Sequence, residues 1–302
     1  MLYIKVTTKI VISFVLRKHI KPFYNEGKDY SRDVGHNTKL LSTFVLKITK
    51  TSMKTIQCEL CAYSVEACRT AARLGVDRVE LCASPTDGGI TPSIAAIEQV
   101  SAIGGIDVSV MIRPRGGDFL YTDDEMQTML RDIAHAKDAG ATGVVIGILT
   151  ADGRVDVART RLLVEAAHGM EITFHRAVDM TADYPQAIRD IIDTGCTRIL
   201  TSGGYDKATE GIDNITHAVN LAAGRIEIMV GSGVSSSNAL QLAWMGIDAL
   251  HFSAKRTIPS SMKYRNPRIS MGGTESVDEF ALRTVDEEEV RKILGIVREQ
   301  TR

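Results

Sequence analysis

Glu59-Leu60-Cys61-Ala62 and Glu80-Leu81-Cys82-Ala83 spell the same tetrapeptide twice, 21 residues apart. Each ends a short apolar run and leads into a polar turn, Tyr63-Ser64 in one case and Ser84–Gly89 in the other. Side chains alternate along a strand, so Glu59 and Cys61 share one face, as do Glu80 and Cys82. Two such strands side by side, ~4.8 Å apart, would bring both pairs to one end of a sheet.

The text around them alternates. Apolar, β-branched runs occur at 56–61, 78–82, 108–113, 144–149, 172–175, 198–201, 226–230 and 249–253. Helical spacing fills the gaps at 64–74, from Thr91-Pro92, after the capping box Thr122-Asp123-Asp124-Glu125, and at 155–167, 184–193, 208–221, 237–245 and 285–297. Eight strand-then-helix units in about 250 residues predict a (β/α)8 barrel, the TIM-barrel architecture. A doubly wound open sheet fits less well, because the first turn lacks the glycines that fold uses.

Composition changes at Met53. Residues 1–52 hold 10 Lys/Arg against 3 Asp/Glu and no alanine or cysteine; the remainder holds 26 against 34. The expected organisation is a poorly ordered extension over 1–52, or upstream sequence before a start at Met53, and a barrel over 53–302. The run Ile10–Leu16 faintly resembles a signal-peptide core but lacks a small-residue cleavage site. A net charge of −1 argues against nucleic acid as the main partner. No run reaches the ~20 apolar residues of a membrane helix. Five cysteines without framework spacing point to a reducing cytoplasm.

Working residues of such barrels sit at the C-terminal ends of strands. Cys61 and Cys82 are therefore candidate ligands for a soft ion, Cu(I) or Zn, or else small apolar fillers. Cys58 and Cys61 spell C-x-x-C but point to opposite faces. Arg113 and Arg115, around a Gly-Gly turn, form a candidate anion clamp or a salt-bridge network with Glu59 and Glu80. Ser202 and Gly203 after strand six, and Gly231 and Gly233 after strand seven, occupy positions where barrels bind phosphate through backbone N–H groups. Glu59 or Glu80 could act as general base and His175 as general acid. His251 is the other histidine on a barrel strand. Lys255–Asp278 is expected to cover the mouth.

The stretches DRVELCASPTDGGITPS, MIRPRGGDFLYTDDE, TFHRAVDM, RILTSGG and MKYRNPRISMGG make the chain from about Met53 resemble the CutC copper-homeostasis family. That resemblance implies a cytoplasmic TIM barrel concerned with copper, with Cys61 and Cys82 as the Cu(I) ligands. The residues themselves support an alternative, a lyase, isomerase or hydrolase acting on a small anionic or phosphorylated metabolite. The expected partner is a copper ion or such a metabolite, with a homodimer left open.

Overall fold

The computed structural model describes residues 55–266, 268–269 and 278–299. The expectations for the extension over 1–52 and for its boundary at Met53 lie outside these residues.

Eight parallel strands close into a barrel in sequence order. They are β1 (Gln57–Ala62), β2 (Arg78–Leu81), β3 (Asp107–Met111), β4 (Gly143–Ile146), β5 (Glu171–Phe174), β6 (Arg198–Thr201), β7 (Glu227–Val230) and β8 (Ala249–Phe252). The helices are α1 (Val65–Leu74), α2 (Ile94–Ser101), α3 (Asp123–Asp138), α4 (Val157–Ala166), α5 (Tyr184–Ile192), α6 (Ile212–Ala222), α7 (Ala239–Ala243) and α8 (Glu287–Glu299). The predicted (β/α)8 barrel is the fold.

Alternation along the strands produces two distinct cores. Outward residues such as Cys58, Leu60, Val79, Leu81, Val108 and Val110 join helix residues in one large apolar cluster. Each buried aliphatic side chain there contributes roughly 2 kcal/mol. The inward residues are mixed. Cys82, Met111 and Val145 form one small apolar cluster and Leu200, Met229 and Ala249 another. At the N-terminal ends of β5, β6 and β7, Arg198 is buried against the more exposed carboxylates of Glu227 at 2.7 Å and Glu171 at 3.3 Å.

Local chemistry sets the helix starts. Thr122 and Glu125 form the predicted capping box on α3. Thr91-Pro92 does not start α2; Ser93 caps it, its Oγ accepting from the Ala96 N–H at 3.3 Å. Thr91 Oγ1 instead accepts from the Arg113 N–H at 2.9 Å, tying the loops after β2 and β3 together. The predicted closing helix also starts late, because Val285 ends a strand. That strand, β10 (Ala281–Val285), pairs antiparallel with β9 (Lys255–Pro259), with Lys255 opposite Val285. This two-stranded arm after β8 borders the barrel mouth. Part of the segment between its strands lies outside the described residues.

Candidate functional site

A cavity of about 670 Å³ opens at the C-terminal ends of the strands. Cys61, Glu80, Arg113, His175 and His251 line it, with Lys255 and Arg283 from the arm.

One side is built by β1, β2 and β8. Their register sets Cys61 opposite Glu80 and Glu59 opposite both Arg78 and His251. Glu59 is fully buried and bonded on both sides. It accepts from Arg78 Nε, and its Oε1 lies 2.7 Å from His251 Nδ1. Burial opposes its charge, but the His251 hydrogen bond and the Arg78 guanidinium hold its pKa down at about 2. With Nδ1 engaged, His251 turns Nε2 toward Glu80 Oε2, 3.7 Å away.

Cys61, Glu80 and His251 thereby converge: a ligand atom from each lies within 4.8 Å of the others. The Cys82 thiol donates to Glu80 Oε2 at 3.5 Å. The neighbouring Cys82 thiol, and then His251, keep the Cys61 pKa well below the usual thiol range. The proximity of Cys61, then burial and Glu80, pushes the Cys82 thiol well up. Burial, then the charge on Cys61, raises Glu80 well above an ordinary carboxyl. Burial disfavours a charged His251, yet Glu80, Cys61 and Glu59 around it outweigh that and raise its pKa.

All five cysteines are free thiols. The register places Cys61 beside Glu80, one pleat short of Cys82, whose N–H bonds to Ala62 at 2.9 Å. Cys61 faces the cavity; Cys82 is buried and does not line it. Cys58 faces outward, and burial pushes its thiol up to about 12. Burial likewise raises Cys68 to about 12 and Cys196 to about 11, so both are packing residues.

The far wall comes from β3 and β5, with β5 four strands from β1 around the barrel. Arg113 is buried, with Nη1 donating to the Asp87 and Gly89 carbonyls at 2.6 and 2.9 Å and Nη2 to Gly117 at 2.7 Å. His175 ends β5 and caps a short 3-10 turn, Arg176–Met180. Its Nδ1 accepts from the Ala177 N–H at 3.1 Å. Burial, and then Arg113, lowers its pKa to about 3, so the ring is neutral at pH 7.

The remaining expected residues are engaged elsewhere. Arg115 turns from the cavity to Glu125 at 2.6 Å and Asp118 at 3.0 Å. The anion cradle expected at Ser202 and Gly203 is filled from within. The Ser202 and Gly204 N–H groups donate to Asp179, and that of Gly203 donates to Thr201 Oγ1 at 2.9 Å. Gly231 gives its N–H to Thr201 in the sheet. Its missing side chain leaves room for His251: a Cβ there would lie 3.1 Å from the ring. Gly233 has a positive φ of 71° and borders the cavity. Beyond it the Ser236 N–H is taken by Glu289 at 2.6 Å.

Sequence reading missed Arg78 and left His251 without a role. The signal was the inward register: Arg78-x-Glu80-x-Cys82 places all three residues on one face.

Known proteins resemble the chain closely. The sequence profile of the CutC family matches residues 56–256. A CutC family protein from Bacteroides thetaiotaomicron is 46% identical over 230 residues, which cover 76% of this chain and 92% of the relative. One from Klebsiella pneumoniae is 41% identical over 240 residues, covering 79% and 96%. The solved structure of a candidate copper homeostasis protein CutC from Streptococcus agalactiae superposes with a TM-score of 0.62 at 36% identity, covering 65% of this chain and 97% of that one.

Proposed function

Since this chain belongs to the CutC family, we propose that it takes part in copper homeostasis by holding Cu(I) at the barrel mouth. The observation that carries this reading is the convergence of Cys61, Glu80 and His251 within 4.8 Å, with the Cys82 thiol bonded to Glu80 at 3.5 Å. Two sulfurs and an imidazole are the soft and borderline donors that suit Cu(I). His251 supports the reading further. Glu59 engages Nδ1 and leaves Nε2 facing Cys61, the arrangement in which a carboxylate orients a ligating histidine. Cu(I) here is cargo. Cys61, Cys82 and His251 Nε2 would take it up, with Glu80 beside them as a harder oxygen donor.

Binding would displace protons from Cys82 and His251. The reading places the protein in the reducing cytoplasm, which the five free thiols support. Among the described residues no helix is long and apolar enough to cross a membrane. The function is assigned to residues 53–302, with 1–52 outside it.

Anaerobic Cu(I) titration against a competing chelator tests the proposal. The expected result is one ion per chain, with binding lost in Cys61→Ser/Cys82→Ser. Weak binding that the double variant leaves unchanged would sink it.

A second reading rests on the far wall. A buried arginine, bonded to three backbone carbonyls and beside the Tyr121 hydroxyl, and a neutral histidine line the same cavity. This supports an enzyme acting on a small organic anion, with Glu80 as the proton-transferring carboxyl. In it Glu59 orients His251, and His175 donates a hydrogen bond.

A further inference from the structure

Seven buried side-chain polar atoms have no hydrogen-bond partner among the described residues. Three of them belong to residues of the cavity wall: Glu80 Oε1, Arg113 Nε and His175 Nε2. Arg113 follows β3, with the Tyr121 hydroxyl beside its guanidinium, and His175 follows β5. Because His175 Nδ1 accepts from the backbone, its proton sits on Nε2, a donor without an acceptor.

This pair is built into the fold. Gly147, which follows β4, makes room for the imidazole: a Cβ there would lie 2.3 Å from Cε1. The Phe119 ring packs 4.9 Å from the His175 ring and 5.0 Å from the Arg113 guanidinium carbon, bridging the two side chains. No carboxylate among the described residues pairs with Arg113. A buried cation and a buried N–H without an acceptor are each costly unless something completes them.

We propose that Arg113 and His175 form a subsite for the carboxylate of a small organic acid, an assignment that rests on the second reading above. A planar monoanion matches one cation and two N–H donors. A phosphate calls for a nest of backbone amides. In this barrel Asp179 fills the loop after β6 and Glu289 takes the Ser236 amide after β7. The cavity, about 670 Å³, suits a small metabolite. Its remainder reaches toward Cys61, Glu80 and His251.

The test uses the full, metal-free chain labelled with [15N]histidine, titrated separately with sodium acetate and sodium phosphate. Acetate is expected to give a saturable shift of the His175 Nε2–H signal, assigned by its absence in His175→Gln. Phosphate at equal concentration is expected to give none. Arg113→Met is expected to weaken acetate binding about tenfold or more. The proposal is overturned by a wild-type chain without a saturable acetate response, by tighter phosphate binding, or by an acetate response indifferent to Arg113→Met. If Arg113→Met does not fold, the acetate and phosphate titrations of the unsubstituted chain decide. The readout involves neither copper nor turnover, so failure of the subsite is distinguishable from failure of either functional reading.

Discussion

Replacing Glu59 by Gln tests the buried network that orients the site. Glu59 has no solvent exposure and accepts from Arg78 Nε on one side and His251 Nδ1 on the other. Glutamine keeps the shape but has one acceptor oxygen. Its amide must face either Arg78 or His251 with a donor. Arg78 would take the oxygen, and His251 would have to give up its Nδ1 proton to accept from the amide. The magnitude follows from the carboxyl itself. Its pKa moves from 4.5 to about 2 on folding, and about 1.4 kcal/mol per unit gives about 3 kcal/mol. That agrees with the ~3–5 kcal/mol typical of breaking one side of a buried pair.

The sign over pH is fixed as well. A depressed carboxyl stabilises the fold fully above about 4.5 and loses that contribution as pH falls toward 2. Urea unfolding of both proteins at neutral pH should therefore show a gap of about 3 kcal/mol that narrows in acid. Adding Arg78→Met should bring less loss than the two single changes summed, since the stranded cation is then gone. A gap below about 1 kcal/mol, or one that does not narrow in acid, would refute the reasoning.

Other consequences follow from the same geometry. Gly147→Ala forces a methyl against the His175 ring, where a Cβ would lie 2.3 Å from Cε1. Unfolding stability should fall by about 1–3 kcal/mol, and an unchanged denaturation midpoint would contradict the packing described. His175 is held neutral with a pKa of about 3 against an ordinary 6.5. Its stability contribution is intact above pH 6.5 and drains away toward pH 3, by up to about 5 kcal/mol. The acid limb of a stability profile should be shallower in His175→Gln; identical limbs would count against a buried neutral ring. Cu(I) affinity should rise with pH, because His251 and Cys82 must lose protons to bind. Competition titrations giving equal affinity at pH 6 and pH 8 would oppose that ligand set. Glu59→Gln should weaken Cu(I) about 10–100-fold without abolishing it, as loss of an orienting partner does.

The barrel was legible because its signal is long-range and repeated. Eight apolar runs separated by helical spacing admit few architectures, and the polar ends of those runs mark one rim. The site was legible only by residue type. Strand alternation correctly places Glu59 with Cys61 and separates Cys58 from them. It does not reveal the register that sets Cys61 against Glu80 and brings in His251 from the far end of the chain, because register depends on barrel closure. The glycine loops show the converse. Ser202-Gly203-Gly204 reads as an anion cradle, and the structure supplies the anion from within the chain, Asp179. Nothing local to the loop announces that partner, 23 residues earlier. The arm β9–β10 escaped notice because its two five-residue strands, KRTIP and ALRTV, are short and lack the alternation of a half-buried sheet.

Copper K-edge absorption on the anaerobic Cu(I)-loaded chain tests the central claim most directly, beside Cys61→Ser and Cys82→Ser. The account predicts a first shell of two sulfurs and one imidazole nitrogen, with one sulfur lost in either variant. A shell without sulfur, or one that neither substitution changes, would contradict it.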